Sequence, residues 1–187
     1  MKVLLIDFYD SFTFNIFHYL EGLGVDVTVV EDNSIILDEI EQYDCIVLSP
    51  GPGIPSDTKS LFAVLERYSK SKKILGVCLG MQGISEYFGA KLYNQNSVKH
   101  GVSEKMQILE PNRLFLNFEK EISVGLYHSW AVNLKESGEL IPVAFSENKI
   151  LMAYEHKSLP VFGVQFHPES ILTENGKEVF KNFLFSC

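Results

Sequence analysis

Lys73-Ile74-Leu75-Gly76-Val77-Cys78-Leu79-Gly80-Met81-Gln82 is the stretch on which the fold turns. Residues 73–77 form a short apolar run, suited to a strand buried on both faces. From Met81 to Phe88 the apolar residues fall at helical spacing. Between them a strand hands over to a helix through Gly-x-Cys-x-Gly. The same alternation runs upstream. Residues 2–7, 26–30 and 44–49 read as strands. Residues 11–24 read as a helix, with Phe12, Ile16, Tyr19, Leu20 and Leu23 on one face and Gly24 as the stop. Residues 36–43 read as a short acidic helix, and 58–70 as a helix with Leu61, Phe62, Leu65 and Tyr68 aligned. A β-α-β-α order predicts an α/β fold whose open sheet is mostly parallel, with helices on both faces.

The second half has another grain. Over 90–154 the segments are short and turn-rich, which predicts antiparallel strands. Residues 160–166 read as a further strand that runs into His167-Pro168-Glu169-Ser170. A last helix near 175–185 would bury Val179, Phe180, Phe183 and Leu184. The whole reads as a flavodoxin-like open sheet with a smaller antiparallel, strand-rich portion. No repeat or linker interrupts it, so a single domain over 1–187 is expected.

Composition narrows the function classes. The chain has 187 residues, 46% of them hydrophobic, and a formal net charge of −8. Phosphate backbones are held by clustered Lys and Arg, so nucleic acid is not an expected partner. No apolar run approaches the roughly 20 residues of a bilayer span, so no membrane is expected either. The N-terminal apolar stretch stops at Asp7, too soon for a signal peptide. Three widely spaced cysteines, Cys45, Cys78 and Cys187, give neither a disulfide framework nor a metal site. A cytoplasmic protein without a bound metal is the expectation.

Gly76-Val77-Cys78-Leu79-Gly80 has the form of a nucleophile elbow. The nucleophile there sits on a tight turn from strand into helix, and flanking glycines relieve the crowding. Free N–H groups and the positive end of the helix dipole favour the reactive thiolate. A cysteine between glycines is also a common buried core residue; the elbow after a clean strand outweighs that plainer alternative. A thiolate needs a proton shuttle and a group to orient it. His167 sits at the C-terminal end of a predicted strand, the edge where open α/β sheets bind ligands. Glu169 follows across Pro168, close enough to hold one imidazole nitrogen. A solvated surface turn is the bland alternative for His-Pro-Glu by itself. Ser49-Pro50-Gly51-Pro52-Gly53 leaves the same edge as a stiff loop whose N–H groups suit an oxyanion hole. No phosphate-binding Gly-x-x-x-x-Gly-Lys-Ser/Thr is present.

Five segments then stand together: Asp7-Phe8-Tyr9-Asp10-Ser11-Phe12-Thr13-Phe14-Asn15, Ser49-Pro50-Gly51-Pro52-Gly53, Gly76-Val77-Cys78-Leu79-Gly80-Met81-Gln82, Tyr127-His128-Ser129-Trp130 and Gly163-Val164-Gln165-Phe166-His167-Pro168-Glu169-Ser170. In this order they resemble the class I, or triad, glutamine amidotransferases. The opening segment resembles the branch that serves anthranilate synthase and aminodeoxychorismate synthase as component II. The resemblance implies a glutaminase with Cys78, His167 and Glu169 as its triad. It implies that Gly51, Pro52 and Gly53 form the oxyanion loop, with the Gly53 and Leu79 N–H groups holding the oxyanion. Gln82 and the Ser129–Trp130 backbone would bind L-glutamine. Ammonia would pass to a separate chorismate-binding synthase chain, in a heterodimer or heterotetramer. No cofactor is implied in this chain, and Mg2+ is expected on the partner synthase. Tryptophan and folate biosynthesis are both served by this branch.

The sequence departs from the family pattern at Phe8, Thr58-Lys59, Val102 and Trp130. None of these is in the triad. Phe8 and Val102 bear on partner docking, and Phe8 or Tyr9 is the expected aromatic anchor there. Two alternatives remain at this point: a stand-alone hydrolase of γ-glutamyl compounds, and a regulatory module with a silent site. The intact Cys78, His167 and Glu169 argue against the second.

Overall fold

The computed structural model describes residues 1–95 and 98–186; the terminal thiol of Cys187 lies outside them. The parallel strands are β1 (Lys2–Asp7), β2 (Asp26–Glu31), β3 (Cys45–Leu48), β4 (Lys73–Val77) and, far along the chain, β11 (Val161–Val164). Helices α1 (Thr13–Glu21), α2 (Leu61–Tyr68), α3 (Leu79–Tyr87) and α4 (Gly176–Phe185) cover them. Between β4 and β11 the chain forms β5 (Lys91–Asn94), β6 (Val102–Ile108), β7 (Glu121–Leu126), β8 (Trp130–Asn133), β9 (Leu140–Ser146) and β10 (Leu151–His156). The main sheet has nine strands in the order β2-β1-β3-β4-β11-β10-β9-β6-β7. The antiparallel strands expected in the second half therefore mostly extend the parallel sheet. Among the described residues only β5 and β8 stand apart, as a two-stranded sheet.

Side-chain alternation along each strand sorts the core into two layers. Val3, Leu5, Val47, Leu75 and Val77 face α1 and α4, where Ile16, Leu20, Val179 and Phe180 are buried. Leu4, Ile6, Ile46, Leu48 and Ile74 face α2 and α3, against Leu61, Leu65, Met81 and Ile84. Tight burial on both faces is what makes the short strand segments read as continuous apolar runs.

Two helix boundaries differ from expectation for physical reasons. The segment over 36–43 is a 3₁₀ helix, Leu37–Gln42, in keeping with a short connector. α2 starts at Leu61, later than residue 58. The buried carboxylate of Asp32 accepts from the N–H groups of Lys59 and Ser60, both at 2.7 Å, and holds that stretch out of the helix. Phe8 is 2% exposed and belongs to the core, so it cannot be an interface anchor. Tyr9, beside it, is 52% exposed. Among the described residues no helix is long and apolar enough to cross a membrane, and no cluster of His, Cys, Asp and Glu could hold a metal ion.

Candidate active site

The C-terminal ends of β1, β3, β4 and β11 meet at one sheet edge, and every segment singled out above opens there or beside it. Cys78 follows β4 with φ 50° and ψ −102°, a conformation costly for a residue with a Cβ. Its N–H is tied to the carbonyl of Val164 on β11 at 2.8 Å. The glycines on either side are required by close approach. A Cβ on Gly76 would lie 2.4 Å from the Gly80 carbonyl carbon, and one on Gly80 would lie 2.4 Å from the Leu48 carbonyl oxygen. α3 can start directly after Cys78 only because both positions are bare. The elbow geometry read from Gly-x-Cys-x-Gly is thus present.

His167 lies just beyond β11, with its N–H bonded to the Gly125 carbonyl of β7 at 3.0 Å. Its Nδ1 sits 2.7 Å from Oε1 of Glu169, and both side chains are almost wholly buried. Thr173 Oγ1 donates to the His167 carbonyl at 2.6 Å and fixes the turn between them. Phe12 and Tyr127 wall in the imidazole, with ring centroids 5.3 and 4.9 Å away. Nε2 is buried and makes no hydrogen bond among the described residues. Burial by itself would lower the His167 pKa, but Cys78 and the Glu169 carboxylate outweigh it and raise it to about 10. The shift favours the protonated imidazole.

The segment over 49–53 packs onto the elbow. A Cβ on Gly51 would come within 2.5 Å of Leu79 Cδ2 and 2.8 Å of Phe8, so the loop lies directly on both. Gly53 has φ +75°, a backbone that disfavours any other residue. As the first residue of α3, Leu79 has no helical partner for its N–H. Gln82 Nε2 donates to the Trp130 carbonyl and to Gln165 Oε1, each at 3.2 Å. A cavity of about 260 Å3 is lined by Gly51, Pro52, Gly53, Cys78, Gln82 and the segment 127–130, among others. It brings together the sequence-derived cysteine, loop and glutamine-binding positions. Leu79, His167 and Glu169 are not among its lining residues.

Three residues gain a place that sequence reasoning did not give them. Gln165 Nε2 is 3.5 Å from Cys78 Sγ, a weak N–H···S contact. Its position two residues before His167 on an extended segment was the available signal. The roles of Phe12 and Tyr127 against His167 had no such signal, because they depend on distant segments meeting. Conversely, Cys45 is a core residue whose thiol is pushed up by burial.

Residues 4–187 match the family described as glutamine amidotransferase class-I. The chain belongs to that family. A Haemophilus influenzae protein described as component II of anthranilate synthase is 40% identical over 185 residues, covering 98% of this chain and 96% of that one. The aminodeoxychorismate/anthranilate synthase component 2 of Bacillus subtilis is 35% identical over 189 residues, with 97% and 95% covered. Among solved structures, a Thermoplasma acidophilum protein described as a GMP synthase subunit superposes with a TM-score of 0.89 at 26% identity, over 98% of this chain and 92% of that one.

Proposed function

We propose that this chain is the glutaminase component of a chorismate-using synthase. It hydrolyses L-glutamine to glutamate through a thioester on Cys78 and delivers ammonia to a separate synthase chain. The observation that carries the reading is a strained cysteine at a helix start, tied to the strand that presents a buried His167–Glu169 pair, under a cavity of about 260 Å3.

The chemistry follows from those positions. Sγ, as thiolate, attacks the carboxamide carbon of glutamine. The oxygen that becomes negative is received by the N–H groups of Gly53 and Leu79, preorganised donors of the kind that dominate acyl transfer. His167 gives its proton to the nitrogen, the C–N bond breaks, and ammonia leaves. A γ-glutamyl thioester remains on Cys78. His167, now neutral, removes a proton from water, whose oxygen attacks the thioester carbon. The C–S bond breaks, the thiolate is restored, and glutamate departs. Glu169 holds the imidazole at Nδ1 throughout. Gln82 and the Ser129–Trp130 backbone hold the substrate. No cofactor takes part in this chain, and Mg2+ belongs to the partner.

The names of the relatives support anthranilate or 4-amino-4-deoxychorismate as the product of the pair, and a single component can serve both. The test pairs the chain with its synthase. Cys78→Ser is expected to abolish product formed from glutamine and to leave product formed from free ammonia intact. An electrophilic glutamine analogue should label Cys78 alone. Equal loss with ammonia, or labelling at Cys45, would overturn the assignment.

A further inference from the structure

Behind the elbow lies a second polar group that the chemistry above does not use. Tyr154, on β10, is wholly buried, and its phenol oxygen reaches the Met81 carbonyl in the first turn of α3 at 2.6 Å. Ser85 Oγ is 2.8 Å from the same carbonyl and 3.1 Å from the phenol oxygen. Each hydroxyl carries one proton. Tyr154 donates to Met81, and Ser85 donates either to Met81 or to the phenol. In both arrangements the Met81 carbonyl accepts the Tyr154 proton, and Ser85 acts on it either directly or through the phenol. Burial pushes the phenol far above its usual range, so it stays a donor at every physiological pH. Gly163 on β11 makes the room. A Cβ there would lie 2.5 Å from Tyr154 Cζ and 2.7 Å from its oxygen.

The Met81 carbonyl shares a peptide unit with the N–H of Gln82. That N–H donates to the Cys78 carbonyl at 2.9 Å. The Cys78 carbonyl in turn shares its peptide unit with the N–H of Leu79. The two hydroxyls thus stand at one end of a chain of peptide dipoles, and Leu79 N–H stands at the other. Hydrogen bonds in series polarise one another, by perhaps 10–30% per bond.

We propose that Tyr154 and Ser85 are positioning residues for the oxyanion hole, loading the Met81 carbonyl so that the Leu79 N–H is held and polarised toward the developing negative charge. The proposal rests on the glutaminase reading. Loss of a direct oxyanion donor costs roughly 10²–10³ in kcat. A donor acting at one remove, at the fractional strengthening above, is expected to be worth about twofold to eightfold.

The experiment uses the full chain with Tyr154→Phe, Ser85→Ala and the double variant. Two readouts are compared: glutaminase kinetics, and affinity for the γ-aldehyde of glutamate. The aldehyde adds to the Cys78 thiol and places a negative oxygen in the hole. Tyr154→Phe is expected to lower kcat about twofold to eightfold, to weaken aldehyde binding by the same factor, and to leave KM for glutamine and the pH midpoint of kcat unchanged. Ser85→Ala should show a smaller loss of the same pattern, and the double variant a larger one. Should Tyr154→Phe fail to fold, Ser85→Ala decides by itself. Wild-type aldehyde affinity in the variants, or a KM that rises in step with the loss of kcat, overturns the proposal. A wild-type chain that neither hydrolyses glutamine nor binds the aldehyde would instead overturn the glutaminase reading.

Discussion

Gly76 and Gly163 face one another in register across β4 and β11. Both lack a Cβ at points where the first turn of α3 touches the sheet, so together they make a bare floor for it. Gly76 clears the backbone of Gly80 and Met81, and Gly163 clears Tyr154 and the Met81 side chain. Two residues further along, the same strands deliver Cys78 and Gln165. The placement of the thiol is therefore set by what is missing beneath the helix.

Gly76→Ala should test that floor directly. The new methyl would sit 2.4–2.5 Å from the α3 backbone, which cannot move aside as a flexible side chain can. A loss of about 1–3 kcal/mol in stability is expected, as for overpacked cores. Glutaminase kcat should fall while the fold is retained. Chemical denaturation and steady-state kinetics check both, and a variant with wild-type stability and rate would refute the close approach.

His167→Ala should cost more activity than Glu169→Ala. Proton transfer by a placed base is worth about 10²–10⁴-fold, while the carboxylate only holds the ring. The measurement is kcat of the two variants in parallel. An inverted order would mean that Glu169, not His167, moves the proton.

The titration of His167 carries a sign that can be checked. Its pKa is about 10 in the folded chain against an ordinary 6.5. A raised value means that its contribution to stability is complete below about pH 6.5 and is lost as pH rises toward 10. For one proton the slope is about 1.4 kcal/mol per pH unit. NMR of the His167 ring should place its midpoint far above 6.5. Glu169→Gln and Cys78→Ser each remove a group that raises it, so both should move the midpoint down. A wild-type midpoint near 6.5 would contradict the buried ion-pair arrangement.

Ile171 follows the Glu169–Ser170 turn and is 96% exposed, on the rim of a cavity that also touches Phe12 and Glu169. Under the proposed function it is a candidate contact for the synthase chain, together with Tyr9. Ile171→Asp should weaken association without changing the basal glutaminase rate of the chain alone. In the intact pair, synthase and chorismate should raise that rate by about 5–150-fold, the span of common coupling energies. Pull-down affinity and glutaminase assays with and without the partner decide it. A rate unchanged by either would favour a stand-alone hydrolase.

Much of this was legible in the chain. Buried strands announce themselves as apolar runs, and Gly-x-Cys-x-Gly after one of them locates the elbow. His-Pro-Glu at the end of another locates the ion pair. The late start of α2 was not legible, because the group responsible, Asp32, lies 28 positions from Ser60. Phe8, in a segment that resembles a partner-facing motif, reads as a docking aromatic. It is core because Gly51 lets the 49–53 loop close over it. Tyr154 sits in a strand where an aromatic is ordinary, and nothing local marks its hydroxyl as reaching α3.

The position of β11 has a consequence for how the protein is made. Among the nine strands of the main sheet it is last in the chain, yet it sits between β4 and β10. Cys78 and Gln165, which end up in contact, are 87 residues apart. During synthesis Cys78 emerges long before His167, and β4 waits as an open edge for a strand not yet translated. Such distant pairing is slow to form, and an unfilled edge is a site for mispairing. Under the proposed function, the growing chain carries a cysteine without its partner histidine until residues 161–169 fill the gap beside β4. On that reading, chemical competence and completion of the sheet are one event.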